Sequence, residues 1–427
     1  MPTSGFRVGV VFGGRSVEHD VSIITGLQAC EALDGRHEPV PLYVDREGRW
    51  YAGPALRDIA TYRADTLDAE RVILDLATGV LRPAATAGRP AGDPPRRRRL
   101  LGGGPADASD GAQAPGEIRL DVIVPATHGT QGEDGALQGA LELADIPYAG
   151  PTLESAVLAM NKARCKTALR AAGVPVLDDI TLRREEYEHE GAEAVVGRVR
   201  SRFGLPVYAK PASLGSSVGV SRCTTEAELA DALQLCFELD RLALIEPAVE
   251  GGREINCAVL GRPGAEPRTS VCEQPLATAE GYLSFEDKYM RSGAAKSGDK
   301  TASGAEGAKG AGMASTQRII PAPISDELTT RVRELAAATF AAIGATGVTR
   351  VDLLLDDSER LFVNEPNTIP GSFAYYLFEP AGLRFADLMD ALIDIAFAEH
   401  AERRRTTRTF DSNLLAMRGE GAKGSGA

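Results

Sequence analysis

The sequence predicts a multidomain protein whose first domain is of the α/β class. The chain has 427 residues, and at roughly 150 residues per domain this length corresponds to about three domains. The apolar run Phe6–Phe12, which ends at two glycines, is typical of a strand buried on both faces of a parallel sheet. Apolar residues at helical spacing predict a helix from about Glu18 to Leu33. Further strands are predicted at 38–44, 72–76 and 120–126.

The second unit is predicted to begin near Ser155 with one strong helix that ends at Gly173. A strand at 174–182 and another helix come before the segment 206–220, which is predicted as a strand, a glycine-rich loop and a second strand. A helix from about Glu226 to Leu239 follows. Further predicted elements are strands at 242–247 and 254–260 and a β-hairpin formed by 348–356 and 360–367.

These elements and the composition shifts predict four segments along the chain. Two stretches rich in small residues, 88–116 and 292–312, are expected to be solvated insertions that are flexible by composition. The predicted segments are 1–154, 155–253, 254–410 and a frayed tail at 411–427.

Composition and charge exclude several functional classes. A hydrophobic share of 43% and a charged share of 25% exclude a wholly disordered chain. The net charge of −13 argues against a general nucleic-acid or membrane-surface binder. A local nucleic-acid patch at the basic run Arg96–Arg99 is the alternative. No apolar run has the length of a membrane helix, and no signal peptide is evident. Six cysteines without C-x-x-C spacing indicate reduced thiols of a cytoplasmic enzyme.

The glycine-rich loop of the second unit has two interpretations. Residues 215–219 match the Gly-x-Ser-x-Gly pattern, which in α/β-hydrolases places a nucleophilic serine, here Ser217, between a strand and a helix. The residues that follow favour a strand instead, and a strand–loop–strand turn of small residues lets backbone N–H groups approach phosphates. Lys210 precedes the loop in an apolar strand, where an unpaired ammonium is costly. This placement favours a phosphate partner; an edge-strand lysine that reaches solvent is the alternative.

Two carboxylates and an amide are predicted to converge on the hairpin. Alternation places Asp352 on one strand and both Glu365 and Asn367 on the other, where they share a face because they are two residues apart. Oxygen donors without His or Cys suit Mg²⁺ rather than zinc. Arg350 lies on the face of Asp352, where a cation would stabilise a transferring phosphoryl group. The alternative is a solvent-exposed hairpin with polar faces.

Two polar clusters of the first unit follow predicted strands. Glu18 and His19 lie on the turn that enters the first helix, and His128 lies in a loop after the strand at 120–126. Ligands of α/β proteins bind at the carboxyl ends of strands, so we expect a shared substrate pocket here. A loop histidine without a function is the alternative interpretation of His128.

Five motifs in this order resemble the D-alanine–D-alanine ligases, which are ATP-grasp carboxylate–amine ligases. The similarity covers most of the chain apart from the two insertions and the tail. It implies an α/β and α+β multidomain fold, in which a Rossmann-like preATP-grasp domain is followed by a two-part ATP-grasp fold. The motifs are GGRSVEHDVS, HGTQGEDGALQG, PYAGPTLESAVLAMNK, KPASLGSSVGV and VNEPNTIPGS.

The resemblance also implies roles for individual residues. Glu18 would hold the ammonium of the first D-alanine with His128 nearby, and Arg350 and Gly371 would surround the reacting carboxylate. ATP would be bound by Lys162, Lys210, Ser216, Ser217, Gly219, Glu246, Val249 and Glu254. Lys288 and Tyr289 match the loop that folds over the site. The ligands of Mg²⁺ or Mn²⁺, expected as two ions, would be Asp352, Glu365 and Asn367.

The implied activity is ATP-dependent synthesis of D-alanyl-D-alanine for peptidoglycan precursors by a cytoplasmic homodimer. The partners are then D-alanine and ATP, with no nucleic acid and no membrane. Tyr376 stands where many members have a serine for the carboxylate of the second substrate, which leaves that substrate open. The alternatives are a D-alanine–D-serine ligase, a D-alanine–D-lactate ligase and a catalytically silent ATP-grasp regulatory protein.

Overall fold

A computed structural model describes residues 5–64, 67–84, 116–249, 251–276 and 318–409. Several predictions therefore lie outside the described residues. These are the insertion at 88–116 except for its last residue, the insertion at 292–312, the tail at 411–427, and the roles of Lys288 and Tyr289.

The first part of the chain forms a six-stranded sheet with the order β5-β4-β3-β2-β1-β6. The central strand β1 pairs in parallel with β2 and β6, which confirms the interpretation of the apolar run. The short strands β3 and β5 were not predicted, and they make this half of the sheet antiparallel. The elements are β1 (Arg7–Gly13), α1 (His19–Leu33), β2 (Glu38–Val44), β3 (Trp50–Ala52), β4 (Glu70–Asp75), β5 (Val80–Pro83), β6 (Val122–Pro125) and α2 (Ala136–Leu143).

The predicted single helix at 155–173 is wrong, because the chain forms two helices there. They are α3 (Leu153–Met160) and α4 (Lys162–Ala171). Asn161 separates them with an extended backbone, and its side chain accepts a hydrogen bond from the backbone N–H of Arg164. An asparagine at this position caps the second helix and satisfies one of its free N–H groups. The break places Lys162 at the start of α4.

A four-stranded antiparallel sheet with the order β7-β10-β8-β9 follows. The glycine-rich loop joins β8 to β9, as predicted, and the predicted helix at 226–239 begins at a capping box formed by Thr225 and Glu228. The elements are β7 (Ile180–Arg183), α5 (Arg184–Glu190), α6 (Ala192–Phe203), β8 (Val207–Pro211), β9 (Ser221–Cys223), α7 (Glu226–Leu239) and β10 (Leu242–Pro247).

The last part of the chain forms a five-stranded antiparallel sheet with the order β13-β12-β11-β14-β15. The predicted hairpin is present as β14 and β15. The elements are β11 (Arg253–Gly261), β12 (Arg268–Pro275), β13 (Arg318–Ile319), α8 (Asp326–Ala342), β14 (Gly347–Leu355), β15 (Leu361–Asn367), the single turn α9 (Tyr375–Phe378) and α10 (Phe385–Arg404).

The three sheets do not have three separate cores. One cluster joins residues of β1, α1 and β6 to residues of β11, α9 and α10, so the first and last sheets share a core. The four-stranded sheet, with α6 and α7, has a core of its own. A further cluster packs α4 and α8 on the five-stranded sheet. All six cysteines are free thiols and are buried. None of the described helices is long and apolar enough to cross a membrane.

Candidate active site

The candidate site lies where the three sheets meet. Glu18 precedes α1 and is buried, and the hydroxyl of Ser216 donates a hydrogen bond to its carboxylate. The approach is close: a Cβ atom at Gly129 or Gly215 would collide with the Glu18 carboxylate. The loop between β8 and β9 thus contacts the first domain, and glycine is required where it does so.

The backbone is strained on two sides of the site. Ser216 and Ser217 have φ values of 50° and 59°, in the left-handed region that non-glycine residues seldom adopt. On the other side, Ser372, Phe373 and Ala374 have φ values of 53°, 52° and 51° directly after Gly371. Such strain persists only where surrounding contacts hold the chain, and it clusters at functional sites.

His128 is buried beside α1 with its Nε2 atom 2.8 Å from the Oγ1 atom of Thr25. Burial lowers the pKa of His128 to about 4, because the charged imidazolium loses its hydration. The ring is therefore neutral near pH 7 and acts here as a hydrogen-bonding group rather than as a cation.

The hairpin brings the predicted residues together. Asp352 lies opposite Glu365, and Arg350 lies opposite Asn367. The Arg350 guanidinium binds the Asp352 carboxylate through two hydrogen bonds of 2.6 and 2.7 Å, and Asn367 donates to the same carboxylate at 2.9 Å. Arg350 and Asp352 are buried. The alternative of a solvent-exposed polar hairpin is therefore excluded.

Two predicted lysines approach the hairpin from different elements. Lys162, at the start of α4, lies 3.1 Å from a Glu365 oxygen and donates a hydrogen bond of 2.7 Å to the carbonyl of Leu214. Lys210 forms an ion pair with Glu246 and lies 3.4 Å from the side-chain oxygen of Asn364. It is buried on β8, which has a neighbour on each side. The interpretation of Lys210 as an edge-strand lysine is therefore wrong.

The hydrolase interpretation of the loop is also excluded. Ser217 lies between two antiparallel strands, β8 and β9, rather than between a strand and a helix. A nucleophile elbow requires the sharp strand-to-helix turn that exposes the serine hydroxyl.

Two adjoining cavities of about 50 and 40 Å³ lie between these groups. Both are lined by Glu18, Ser216, Glu365 and Asn367. Lys162 adds to the first, and His128, Arg350 and Gly371 add to the second. The structure thus brings together eight of the residues that the sequence singled out.

Other predicted residues lie outside the linings of these two cavities. Glu246 is buried on β10, Val249 follows that strand, and Glu254 lies on β11. Ser217 and Gly219 belong to the β8–β9 loop, and Gly219 packs against Leu239 and Pro211. Their assignment to a nucleotide stays a prediction.

Tyr376 lies outside the linings of the two cavities. Its hydroxyl lies 3.3 Å from a Glu273 oxygen, and the guanidinium of Arg318 lies 4.2 Å from the centre of its ring. Burial raises the pKa of Tyr376 to about 12. The prediction that Tyr376 binds the second substrate gains no support from this packing.

Two residues of the site were missed by the sequence analysis. Glu133 lines both cavities and accepts hydrogen bonds from the backbone N–H groups of Gly129 and Ile369. Burial, and next the charge of Glu18, raise the pKa of Glu133 to about 8. Lys166 is buried against Glu246, and burial lowers its pKa to about 7. Glu133 lies within the motif HGTQGEDGALQG, so the sequence could have indicated it. The only indication for Lys166 was its position one helical turn after Lys162.

The donor set fits a hard divalent cation. The side-chain oxygens of Asp352, Glu365 and Asn367 lie on neighbouring positions of two paired strands. Such oxygens are the ligands that Mg²⁺ and Mn²⁺ take in proteins. Among the residues that the structure describes, no group of three or more His, Cys, Asp or Glu side chains is placed to hold a metal ion, so the assignment of Asp352, Glu365 and Asn367 as ligands stays a prediction.

The fold and the site define the class of protein. A Rossmann-like domain is followed by two antiparallel sheets that face a charged cleft, which is the predicted two-part ATP-grasp fold. Two solved structures have this fold with a TM-score of 0.70. The D-alanine–D-alanine ligase from Coxiella burnetii is 27% identical and covers 94% of this chain and 97% of its own. The VanG D-Ala:D-Ser ligase from Enterococcus faecalis is 25% identical, and the match covers 92% of this chain and 100% of that ligase.

Sequence comparisons define the family. The family model "D-ala D-ala ligase N-terminus" matches residues 7–151, and "D-ala D-ala ligase C-terminus" matches 168–306 and 306–394. D-alanine–D-alanine ligase A of Escherichia coli strain K12 is 34% identical over 400 residues, which are 92% of this chain and 96% of that protein. The chain belongs to the D-alanine–D-alanine ligase family, and the predicted resemblance is confirmed.

Proposed function

We propose that the protein joins two D-alanine molecules to D-alanyl-D-alanine at the expense of ATP, as a step of peptidoglycan precursor synthesis. Membership of the family supports the reaction class. The observation that carries the assignment is the hydrogen bond between Ser216 and Glu18, which joins the β8–β9 loop to the first domain directly beside the hairpin of Arg350 and Asp352.

The chemistry requires activation of a carboxylate, because a carboxylate oxygen is a poor leaving group. ATP would transfer its γ-phosphoryl group to the first D-alanine and give an acyl phosphate. The amine of the second D-alanine would then attack the acyl carbon, and phosphate would leave with the former carboxylate oxygen. The acyl phosphate has to be kept from water, which calls for a closed cleft.

Each side of the cleft offers groups for one part of this reaction. Glu18 is the buried anion that would hold the ammonium of the first D-alanine, with neutral His128 nearby. Arg350 would stabilise negative charge on the reacting carboxylate and the tetrahedral intermediate, beside the backbone of Gly371. A fixed cation in a dry site is effective here because it needs no reorganisation during the reaction.

The other side would bind the nucleotide. Lys162 and Lys210 would bind phosphate oxygens, and the loop with Ser217 and Gly219 would close over them. Glu246, Val249 and Glu254 would contact adenine and ribose. Lys288 and Tyr289 are proposed to complete the closed site.

Asp352, Glu365 and Asn367 would hold Mg²⁺ or Mn²⁺, proposed as two ions. The bound ions would neutralise charge on the phosphates of ATP. Arg350 and Lys162, which now contact Asp352 and Glu365, would then be released in part toward anionic groups of the substrates. We also propose a cytoplasmic homodimer, which light scattering of the purified chain would test.

The test is phosphate release from Mg·ATP with D-alanine alone and with equal D-alanine, D-serine and D-lactate, followed by identification of the product. D-Alanyl-D-alanine as the main product supports the proposal. The similarity to the VanG D-Ala:D-Ser ligase makes D-alanyl-D-serine the second candidate. A depsipeptide would indicate a lactate ligase, and no turnover with any acceptor would indicate a silent ATP-grasp protein.

A further inference from the structure

A larger cavity lies in the first domain, apart from the candidate active site. Its volume is about 290 Å³, and it opens where β1 and β2 end, at Gly13, Gly14 and Val44. Thr127, which follows β6, forms part of the wall. The carboxyl ends of parallel strands are where open α/β sheets bind ligands. None of the residues assigned to the ligase reaction lines this cavity.

The walls are mainly apolar. Val11 and Val44 come from the parallel strands, Trp50 comes from β3, and Leu137 and Ala140 come from α2. Trp50 is the largest side chain of the lining, and Ala140 is among the smallest. The volume equals about ten water molecules at roughly 30 Å³ each, which gives room for a ligand with a similar number of non-hydrogen atoms.

The wall has one buried hydroxyl without a hydrogen-bond partner and one arginine without an ion-pair partner among the described residues. Thr127 is 5% exposed, and its Oγ1 atom has no hydrogen-bond partner among the described residues. A buried hydroxyl in that state is unfavourable, and a ligand that accepts its hydrogen bond would remove the penalty. Arg15 is exposed at the edge of the cavity, where it donates to the backbone carbonyl of Glu47, and within the described parts of the chain it forms no ion pair.

The charge of the cavity differs from that of the whole protein. The chain carries a net charge of −13, yet among the described residues Arg15 is the only charged residue of the lining. A cation at the mouth of an apolar cavity attracts an anion whose body is apolar, because the anion meets the guanidinium while its apolar part leaves water.

We propose that this cavity is a binding site for a small monocarboxylate with an aromatic or aliphatic body. The carboxylate lies at Arg15, the apolar body packs between Trp50 and Ala140, and Thr127 donates its hydroxyl hydrogen to the ligand. The site is independent of the ligase activity proposed above, since none of the residues assigned to that reaction takes part in it.

The chain provides its own reporter for a test, because Trp50 is its only tryptophan. The intact protein is titrated with phenylacetate, benzoate and cyclohexanecarboxylate, and tryptophan fluorescence is recorded. Phenylacetamide serves as the neutral probe. We expect a saturable change with at least one carboxylate. The amide should bind about five- to tenfold more weakly, since it lacks the charge-assisted hydrogen bond with Arg15.

Variants separate binding from general effects on the fold. Ala140→Phe fills the cavity and should abolish the fluorescence change. If Ala140→Phe does not fold, Ala136→Leu, at an exposed position of the same lining, replaces it as the cavity-filling variant. Thr127→Val should weaken binding about fivefold while thermal stability stays equal or rises, because an unpaired buried hydroxyl is removed. A purely structural threonine would lose stability instead.

Three results would overturn the proposal. They are no saturable change with any of the three carboxylates, an unchanged titration in a folded cavity-filling variant, and equal affinity for phenylacetate and phenylacetamide.

Discussion

The first and last sheets are joined very differently from the four-stranded sheet between them. Val8, Val124 and Leu388 belong to one core, although they come from β1, β6 and α10. Among the described residues, the apolar core of the four-stranded sheet is formed with its own helices, around residues such as Leu229 and Val196. The protein therefore combines one large body, which contains both ends of the described chain, with a smaller unit that has its own interior.

Contacts between the small unit and the large body in the cleft are polar. Ser216 donates to Glu18, Lys210 approaches Asn364, and Lys162 reaches the carbonyl of Leu214. Polar contacts can be exchanged for water at little net cost, whereas a shared apolar core cannot be separated without exposing it. We therefore expect the small unit to move when substrates enter and leave, and the large body to stay intact.

The largest expected effect is on the hairpin of the large body. Glu365→Gln removes one charged oxygen donor from the proposed metal site, and we expect ATP turnover to fall by about a thousandfold. Phosphate release at saturating Mg·ATP and D-alanine measures this loss. Glu327→Gln, at an exposed position of α8, is the matched control and should keep wild-type turnover. Unchanged turnover in Glu365→Gln would remove the hairpin from the active site.

Two leucine substitutions test whether the cores are separate. Leu388→Ala should destabilise the large body by about 3 kcal/mol, because a buried leucine leaves a cavity. Hydrogen exchange should then become faster in β1 and β14 together and stay unchanged in β8. Leu229→Ala, in the core of the small unit, should show the reverse pattern. Faster exchange in only one sheet of the large body would contradict a shared core.

The pH dependence of stability should report on His128, which lies inside the large body. Burial lowers the pKa of His128 from 6.5 to about 4. Between these values the unfolded chain binds a proton that the folded chain does not, so stability is lost as the pH falls. We expect a loss of up to about 3 kcal/mol, measured by urea unfolding across that range.

Replacing the imidazole identifies the source of that loss. His128→Gln should flatten the dependence on pH, whereas His189→Gln, at an exposed position of α5, should retain the wild-type slope. The same slope in both variants would show that another group titrates.

The smallest expected effect lies in the small unit. Lys210→Ala should raise the KM for ATP about tenfold, since this variant loses a buried cation that we propose to bind phosphate oxygens. Lys166→Met removes the other lysine that pairs with Glu246, while the contact between Lys210 and Asn364 is kept. This variant should therefore change the KM for ATP less than Lys210→Ala does. Initial rates at varied ATP measure both variants. A wild-type KM and turnover in Lys210→Ala would make this lysine structural.

The sequence was most informative where its pattern follows directly from strand geometry. Alternation predicted that Asp352 and Glu365 converge, and the register of β14 and β15 confirms it. The loop between β8 and β9 was predicted for a similar reason, since glycine and serine mark a turn between two apolar strands.

The errors arise where distant contacts decide the local structure. The helical pattern continues through residue 161, yet the chain breaks there because the N–H of Lys162 donates to the carbonyl of Ala212. The packing of Tyr376 against Glu273 and Arg318, which are far away in sequence, was not predicted either, and its role in binding the second substrate stays a prediction. Neither contact has a signal within a short window of sequence, because both depend on packing between sheets.

The buried cysteines allow the opening of the large body and of the small unit to be followed chemically. Burial raises the pKa of Cys30, in the large body, to about 12, and raises that of Cys223 and Cys236, in the small unit, to about 11 and 12. Only a thiolate that the reagent can reach is alkylated quickly. These thiols are therefore protected both by burial and by remaining protonated. Labelling at Cys223 and Cys236 therefore marks the moments when the small unit opens, and labelling at Cys30 marks those when the large body does.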